Sequence, residues 1–509
     1  MLIYDTRYRS MTIQIIALIG FLLLLGALVS NTAQNLATLG KEPSFRFLGE
    51  PASYDINQRL LEYTSRDSHL RAAFVGLLNT LVVAVLGCIT ATVLGVLIGV
   101  LRLSNNWVVA RLTAIYVEIF RNVPVLLWIV FTMAVMIETM DPPRAFKAGD
   151  ATMSLMGSTA FSNQGIFVPR PVPADLGWVL VVVLGLSIFA ISRLRGRADK
   201  IQESTGERPG IFLISTAVFL VPVIVAYFGI SAFASSNEQV FVARSEANAQ
   251  NLTAFSDEIG KIDYCHSSGK AASLNGLRFL QENEIAIKRR NYFNRSATVT
   301  AFEEGRCNLI AVPASSVDSF IADLGQSDTA GEENKTVPAA VIQAEFSEGR
   351  AVEIEYPAIS EKGIPRFEGG IHIRNSLIAL WLALSLYTAA FIAEIVRAGI
   401  LAVSHGQTEA AAALGVRPGK IMSLVVLPQA MRVIIPPLIS NYLNLTKNSS
   451  LAIAVGYMDI TGTLMGITLN QTGRELETVL LTMLIYLAIS LSISGVMNWY
   501  NERVKLVER

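Results

Sequence analysis

The stretch QTEAAAALGVRPGKIMSLVVLPQA, residues 407–430, lies between two long apolar runs and predicts a short helix closed by a turn. Alanine is the strongest helix former, so residues 409–413 favour a helix. Gly415 can adopt the positive φ that ends one. Small side chains would let such a helix lie flat in a groove of a partner, with Glu409 paired to a basic residue there. The alternative is an ordinary alanine-rich helix and turn without a partner.

Apolar runs extend outward on both sides of this loop and recur along the chain. A helix needs about 20 mostly apolar residues to cross about 30 Å of hydrocarbon. Eight stretches meet that length and predict membrane spans: 12–30, 73–101, 107–140, 176–193, 211–233, 375–400, 422–445 and 476–498. Residues 451–466 are also apolar, but three glycines and Asp459 interrupt them. We expect a re-entrant or non-spanning piece there.

The composition agrees with a membrane protein, since 52% of the residues are hydrophobic, 16% are charged and the mean hydropathy is +0.46. The formal net charge is zero, which gives no reason to expect nucleic acid as a partner. Four His and three Cys, without a CxxC or HExxH pattern, predict no metal site.

Basic residues in the short loops set the orientation, because they favour the cytoplasmic side. With eight spans, five basic segments fall on one side: Arg7 and Arg9; Arg102 and Arg111; Arg193, Arg195, Arg197 and Lys200; Arg417 and Lys420; Arg503, Lys505 and Arg509. Both termini are therefore expected in the cytoplasm. The first span could instead be a signal peptide, but its apolar run is long for one and residues 29–33 form a poor cleavage site. We expect a retained anchor.

A hydrophilic stretch, residues 234–374, is too long to be an unstructured loop, and the orientation above puts it outside the cytoplasm. Strand-like runs at 262–265, 285–288 and 308–312 alternate with helix-like runs at 273–280 and 297–304. This alternation predicts a small α/β unit with a parallel sheet. Cys265 and Cys307 each border a predicted strand, so we expect a disulfide in an exported domain. Two free, buried thiols are the alternative.

Catalytic motifs are absent from the sequence. The nearest match to the phosphate-binding pattern G-x-x-x-x-G-K-[ST] runs from Gly415 to Ile421, but it is one residue short and ends in Ile. No nucleophile motif such as G-x-S-x-G occurs. We therefore expect no catalytic residues, no ATP hydrolysis by this chain alone and no cofactor of its own.

The loop at 407–430 resembles the EAA motif of ABC importer permeases. That motif reads Glu-Ala-Ala, three residues, Gly, nine residues, then Ile-x-Leu-Pro, and only Val425 in place of Ile departs from it. The resemblance implies that the loop docks on an ATPase subunit, which binds ATP and Mg, and passes its closure to the spans. The residues that match the motif, and to which the resemblance assigns this coupling role, are Glu409, Ala410, Ala411, Gly415, Leu427 and Pro428.

Other segments resemble the amino-acid branch of that family: GLLNTL (76–81), VEIFRNVP (117–124), SLYTAAFIAEIVRAGI (385–400) and KNSSL (447–451). The N-terminal part, with SNT (30–32), FLGE (47–50) and DI (55–56), is similar to the larger subunits of importers for Glu, Gln, Asp and Asn or for L-amino acids generally. The likeness implies two ATPase subunits, a second homologous permease chain and a periplasmic amino-acid-binding protein as partners, besides membrane lipid.

Part of the hydrophilic stretch, residues 261–325, is similar to one lobe of a periplasmic amino-acid-binding protein. A lone lobe lacks the second half of a ligand cleft. We therefore expect a docking or structural role for it rather than ligand binding.

Two Glu-Ile-x-Arg repeats put charges inside predicted spans: Glu118 with Arg121, and Glu394 with Arg397. Such residues are costly in a membrane and so are functional candidates, although an ion pair within one helix is the alternative. The first pair falls near mid-membrane and could contact a zwitterionic substrate. The second falls near the cytoplasmic end, where we expect a structural or gating role. Lys447 and Asn448 end a span on the outer side, where they could meet substrate or anchor the helix.

The sequence thus predicts an all-α polytopic membrane protein with about eight transmembrane helices, a type I ABC importer permease core and a small α/β insertion. The expected segments are an N-terminal anchor and periplasmic segment (1–70), the first part of the core (71–140), two extra spans (141–233), the periplasmic insertion (234–374) and the second part of the core (375–509). The resemblance implies inward movement of polar L-amino acids across a bacterial inner membrane.

Three other functions stay open at this point. An ion-coupled secondary transporter would need no ATPase and should contain inverted repeats. A membrane sensor would use residues 234–374 as its ligand-binding domain. A non-transporting assembly subunit is the third.

Overall fold

The computed structural model describes residues 6–38, 44–61, 63–205, 209–244, 252–260, 262–324, 339–360 and 364–504. Lys505 and Arg509, two of the basic residues used above for orientation, lie outside these ranges. The helices are α1 (Thr6–Thr38), α2 (His69–Leu101), α3 (Trp107–Asn122), α4 (Val125–Thr139), α5 (Pro143–Ala148), α6 (Ser154–Gly157), α7 (Trp178–Thr205), α8 (Phe212–Ser236), α9 (Leu252–Ile259), α10 (Ala271–Glu282), α11 (Arg295–Glu303), α12 (Val317–Leu324), α13 (Asn375–Leu401), α14 (His405–Ala413), α15 (Pro418–Ile421), α16 (Leu427–Asn448), α17 (Leu469–Thr472) and α18 (Glu475–Val504).

Tighter and wider helical turns complete the helical part. The 3-10 segments are Arg46–Gly49, Ala314–Ser316 and Ser449–Val455, and the π-helical segments are Met422–Val426 and Gly462–Thr468. The strands are β1 (Ala160–Ser162), β2 (Gly165–Val168), β3 (Arg170–Pro173), β4 (Glu238–Ala243), β5 (Ile262–Ser267), β6 (Ile287–Tyr292), β7 (Leu309–Pro313), β8 (Ala340–Ser347), β9 (Val352–Glu355), β10 (Ala358–Ile359), β11 (Phe367–Glu368) and β12 (Ile371–Arg374).

The helices are long enough for the predicted membrane spans. Within the described residues, seven stretches are long and apolar enough to cross a membrane: Met11–Thr32, His69–Leu101, Trp178–Gln202, Phe212–Ser236, Asn375–Leu401, Pro418–Val455 and Glu475–Trp499. The bent pair of α3 and α4 makes an eighth if both helices belong to one span. The prediction of about eight transmembrane helices is therefore confirmed.

The predicted span 107–140 is not straight. Helices α3 and α4 meet at an angle of 105°. Proline disfavours helical backbone in the residue before it and lacks the N–H of a helix interior. Val123 accordingly is extended, with φ −107° and ψ 133°, and Pro124 precedes the first turn of α4. The sequence thus places the break at Pro124.

The chain divides into two compact units. Unit one comprises Met1–Met140, Asn163–Gly165 and Ile373–Arg509, and unit two comprises Asp141–Ser162 and Ile166–His372. Helix α13 is the central helix of unit one and packs against α2, α3, α4 and α16. A Cβ atom on Gly95 of α2 would lie 2.6 Å from Ile392, and one on Gly99 would lie 2.7 Å from the carbonyl oxygen of Ala393. Small residues at this spacing allow the two helices to pack closely.

Unit two contains helices α7 and α8, which pack on each other, and a five-stranded sheet in the order β6-β5-β7-β4-β8. Strand β5 runs parallel to β6 and β7, whereas β4 pairs antiparallel with β7 and β8. The three predicted strands and two predicted helices are present as β5, β6, β7, α10 and α11, so the small α/β insertion is confirmed. Its sheet is mixed rather than the predicted parallel sheet, because β4, which the sequence pattern did not predict, pairs antiparallel with β7 and with β8.

The apolar stretch 451–466 is broken, as expected from its glycines. A 3-10 segment ends at Val455, Gly456 takes a positive φ of 67°, and a π-helical segment begins at Gly462. Its buried Asp459 caps that second segment by accepting a hydrogen bond from the Gly462 N–H at 2.8 Å.

Candidate coupling loop and substrate pathway

Helix α14 carries the Glu-Ala-Ala triplet and ends at the expected glycine. Gly415 has a φ of +75°. Its N–H donates to the carbonyl oxygen of Ala412 at 2.9 Å, and the N–H of Val416 donates to that of Ala411 at 3.2 Å. This pair of hydrogen bonds is the Schellman motif, in which a left-handed residue satisfies the last carbonyls of a helix. The loop therefore has a defined turn rather than a frayed end.

One face of α14 is anchored within unit one and the other is exposed. Ala411 packs with Ile421 and Val426 in a small apolar cluster. Glu409, Ala410 and Gly415 are exposed, and the Leu414 side chain is 83% exposed. The outer face of α14, around Leu414, is therefore open to contact with another chain.

Leu427 and Pro428 begin the long helix α16. The π-helical segment Met422–Val426 leads directly into it, and Pro428 lies in its first turn. The helical backbone continues through this point, because Val426 and Leu427 are both in the αR region. The wider turn of the π-helical segment directly precedes Pro428, which has no N–H to donate. The LeuPro pair thus lies inside the continuous helical stretch Pro418–Val455, after the loop has ended.

Glu394 does more than neutralise its helical neighbour. Its carboxylate accepts a hydrogen bond from Arg397 at 2.6 Å and also pairs with Arg102 at the end of α2. Glu394 therefore links α13 to the end of α2 through Arg102, whereas Arg397 belongs to its own helix. This geometry favours the structural role for the second Glu-Ile-x-Arg repeat.

The first repeat has a different environment. In the described chain no ion pair joins Glu118 to Arg121, and both side chains are exposed. The Arg121 guanidinium instead lies 5.4 Å from the ring centroid of Phe391 on α13. Glu118, unlike Glu394, thus has no ion pair with any residue that the structure describes.

At the other end of α16, Lys447 is exposed and Asn448 is half-buried at the last helical residue. No hydrogen bond or ion pair of the described residues joins Lys447 or Asn448 to the charged residues of the two Glu-Ile-x-Arg repeats. The candidate pathway residues therefore form separate groups within this chain.

The turn after α16 contains a polar cluster that sequence reasoning missed. Asp459 is fully buried, and its second carboxylate oxygen accepts from the Tyr486 hydroxyl at 3.0 Å. Asn79 donates to the carbonyl oxygen of Met458 at 2.8 Å, and the Thr80 hydroxyl accepts from the Ile460 N–H at 3.0 Å. Asn79 and Thr80 belong to the GLLNTL segment, so its polar pair fixes this turn. The sequence feature that could have revealed this cluster is Asp459, an acidic residue within an otherwise apolar stretch.

In unit two, Cys265 and Cys307 are joined in a disulfide with a Cα–Cα distance of 5.5 Å. Nearby, the buried Glu355 carboxylate pairs with Arg170 and Arg289 and faces His266 at 3.7 Å. Burial lowers the pKa of His266 to about 4, with the Arg289 charge in support and Glu355 opposing. Burial would raise the pKa of Glu355, but His266, Arg289 and Arg170 together lower it to about 2. No group of three or more metal-ligating side chains occurs in the described ranges.

Comparison with known proteins gives the family. Residues 367–506 match the family described as binding-protein-dependent transport system inner membrane component. The chain is 42% identical to the glutamate/glutamine/aspartate/asparagine transport system permease protein BztB of Rhodobacter capsulatus, over 100% of this chain and 96% of that protein. It is 33% identical to the general L-amino acid transport system permease protein AapQ of Rhizobium johnstonii, over 99% of this chain and 94% of that protein.

A solved structure described as an amino acid ABC transporter with histidines is 32% identical, over 26% of this chain and 61% of that chain, with a TM-score of 0.24. The full-length similarity to two permease proteins is the stronger finding. With its apolar spans and its EAA-type loop, the chain belongs to the family of permease subunits of amino-acid ABC importers.

Proposed function

We propose that this chain moves polar L-amino acids inward across a bacterial inner membrane as one half of an ATP-driven permease. The observation that carries the proposal is the EAA-type helix α14, whose inner face is anchored and whose outer face is exposed around Leu414. The substrate class follows the relatives, which are named for glutamate, glutamine, aspartate and asparagine or for L-amino acids generally.

The chain works as a transport subunit, and ATP hydrolysis belongs to its partners. Two ATPase subunits would bind ATP and Mg, and their closure would push on α14 and on the start of α16 at Leu427 and Pro428. A second homologous permease chain would complete the pathway, and a periplasmic amino-acid-binding protein would deliver the substrate. Both termini would lie in the cytoplasm and residues 234–374 in the periplasm.

Glu118 is the strongest candidate for substrate contact in this chain. Its carboxylate has no basic partner among the described residues and sits beside Arg121, whose charge faces an aromatic ring. A zwitterion needs partners of both signs in a dry pathway, which these two side chains offer. Lys447 and Asn448 are proposed to meet the substrate on the outer side.

Purification of the tagged chain in mild detergent tests this function. We expect an ATPase and a second permease chain to co-purify, and L-glutamate or L-glutamine with a binding protein to stimulate ATP hydrolysis in liposomes. A lone chain that transports amino acid in vesicles without ATP would overturn the proposal in favour of an ion-coupled transporter. A complex that hydrolyses ATP but moves no amino acid would favour an assembly or sensing role.

A further inference from the structure

The five-stranded sheet of unit two begins directly after a membrane span. Helix α8, which is long and apolar enough to cross a membrane, ends at Ser236, and β4 begins at Glu238. Strand β7 pairs antiparallel with β4, so that Gln239 lies opposite Pro313, the last residue of β7. Strand β5 runs parallel to both β7 and β6. The carboxyl ends of β5, β6 and β7 therefore lie at the same end of the sheet as the end of α8.

Side-chain contacts fix this end of the sheet against α7 and α8. Ala271, the first residue of α10, shares a buried apolar cluster with Ala234 in the last turn of α8. The Lys270 ammonium lies 2.7 Å from the carboxylate of Asp175, just before α7 begins at Trp178. Trp178 is 61% exposed, and tryptophan is enriched where a span meets the membrane surface. This end of the sheet therefore lies at the level of a membrane surface.

Three short segments of the chain leave the parallel strands here. We call them together the carboxyl end of the sheet: 268–270 after β5, 293–295 after β6 and 314–316 after β7. The first two are held side by side, because the Ser268 N–H donates to the Tyr292 carbonyl oxygen at 2.7 Å. The segment after β6 is therefore at the same level as the segment whose Lys270 contacts Asp175.

Charge is distributed unevenly between the two ends of this sheet. The carboxyl end contains Lys270 and Arg295 and no acidic residue. At the opposite end, the segments 282–285 and 303–306 contain four glutamates and one arginine. Anionic headgroups attract basic residues close to a membrane surface and repel acidic ones. The charge pattern thus favours the carboxyl end as the one that faces lipid.

The segment after β6 offers an apolar and a basic side chain at this level. Phe293 is 44% exposed. Arg295 is exposed and forms no ion pair with any described residue. The two acidic residues near this end do not take its place, since Asp175 pairs with Lys270 and Glu348 is only 2% exposed. An exposed ring beside a guanidinium suits a membrane interface, where apolar tails meet phosphate groups.

We propose that Phe293 and Arg295 bind the membrane surface beside α7 and α8. The ring lies at the boundary between headgroups and acyl chains, and the guanidinium binds a phospholipid phosphate. The docking role expected for this insertion from the sequence thereby has a partner, which is the lipid bilayer. The inference requires only that α7 and α8 cross the membrane, so it does not depend on the proposed transport function.

Spin-label accessibility in a bilayer tests this contact. The chain, purified with its partner subunits on a Cys88→Ala background, is placed in nanodiscs of phosphatidylethanolamine and phosphatidylglycerol. A nitroxide is attached at Phe293→Cys or, as the matched control, at Lys288→Cys, which is exposed near the other end of the same strand. We expect collisions with oxygen, which enters lipid, to exceed those with a water-soluble nickel chelate only at position 293. The complex without an introduced cysteine gives the background signal.

A second reporter position leaves Phe293 in place. A label at Ser296→Cys, exposed in the first turn of α11, should also collide more often with oxygen than with the chelate. Phe293→Asp combined with Arg295→Glu should reverse that preference, because both groups that hold the segment at the membrane are lost. An unchanged preference would contradict the role of these two residues.

Two results at position 293 would overturn the inference. A label there that meets the chelate as often as the label at position 288 would show that the segment lies in water. A label that becomes immobile only when an amino-acid-binding protein is added would show a protein partner instead of lipid. Neither measurement needs ATP or amino acid, so the inference can fail while the transport function stands, and the transport function can fail while the lipid contact stands.

Discussion

Gly415 shows how a single residue sets the surface offered to a partner. A Cβ atom added there would meet no atom within 4 Å, so the site has room for a side chain inside this chain. Aspartate also tolerates left-handed backbone better than most residues. We therefore expect Gly415→Asp to insert normally but to lose uptake and amino-acid-stimulated ATP hydrolysis, because the new charge lies on the face proposed to meet the ATPase.

Gly473 is the matched control for that substitution. It too has a positive φ, of 63°, and open space for a Cβ atom, but it lies between α17 and α18. Gly473→Asp should keep most of the uptake, measured with radiolabelled L-glutamate in vesicles. Normal uptake by Gly415→Asp would remove the coupling role from this loop.

The two Glu-Ile-x-Arg repeats look equivalent in the sequence and differ in the structure. Glu394→Gln should lower the free energy of unfolding by about 1–3 kcal/mol, because it weakens the hydrogen bonds of Arg102 and Arg397 at a half-buried site. Glu118→Gln should change it by less than about 0.5 kcal/mol, since Glu118 is exposed and forms no ion pair with any described residue. Thermal unfolding in detergent measures both.

Uptake then separates the roles of the two glutamates. A stable Glu118→Gln chain with a raised KM for L-glutamine would support substrate contact by Glu118. Equal stability losses in the two variants would contradict the assignment. The sequence could not make this distinction. Spacing along a helix predicts which side chains are neighbours on that helix, but not which residue of another helix they contact, such as Arg102 for Glu394 or Phe391 for Arg121.

At the scale of elements, local pattern predicted the parallel strands of the insertion but not their antiparallel neighbours. Strands β5, β6 and β7 alternate with amphipathic helices, which is the signature of parallel pairing. Strand β4 follows directly after span α8, and β8 lies about a hundred residues further along the chain. Their pairing depends on contacts between distant segments, and the local hydrophobic periodicity of a sequence does not predict such contacts. The break at Pro124 was predictable because it is local.

The buried charge cluster around Glu355 makes unit two sensitive to acid. His266 is neutral in the folded state, with a pKa of about 4 against an ordinary 6.5. The unfolded chain therefore takes up a proton first as the pH falls, and folding free energy is lost from pH 6.5 down to about 4. The loss should reach about 2 kcal/mol at pH 5. Below about 4.5, protonation of Glu355 in the unfolded state adds a further loss down to about pH 2.

Hydrogen exchange of peptides from β5 and β6, corrected for intrinsic rates, measures this loss between pH 7 and pH 5. His266→Gln should be less stable at pH 7 but nearly flat over that range. If the native chain and this variant show the same slope, His266 is not the group responsible.

The disulfide is the other stabilising feature of unit two. Cys265 and Cys307 are 42 residues apart, and closing a loop of that length is worth about 4 kcal/mol by chain entropy. We expect Cys265→Ser with Cys307→Ser, or reductant, to raise exchange throughout β5 and β7. Cys88→Ala in α2 is the control, because Cys88 is unpaired and belongs to unit one. A free thiol at Cys265 in the non-reduced protein, detected by mass spectrometry, would contradict the bond.

The orientation of the whole chain in the membrane depends on whether the bent pair of α3 and α4 crosses it. If α3 and α4 together cross the membrane once, there are eight spans, and the basic segments share the cytoplasmic side. If the bent pair is re-entrant, seven spans remain, and every segment after it changes sides. The disulfide favours eight spans, because it would then form in an oxidising compartment.

Cysteine labelling with a membrane-impermeant maleimide in spheroplasts distinguishes the two topologies. On a Cys88→Ala background, Lys288→Cys reports on unit two and Arg417→Cys on the loop after α14, and both side chains are exposed. Eight spans predict labelling at position 288 in intact spheroplasts and at position 417 only after lysis. The reverse pattern would show that α3 and α4 do not span together, and it would put the EAA-type loop on the side without ATP. Helices α3 and α4 must therefore cross the membrane together for the EAA-type loop to reach a cytoplasmic ATPase. The labelling test checks this topology and the coupling proposal in one experiment.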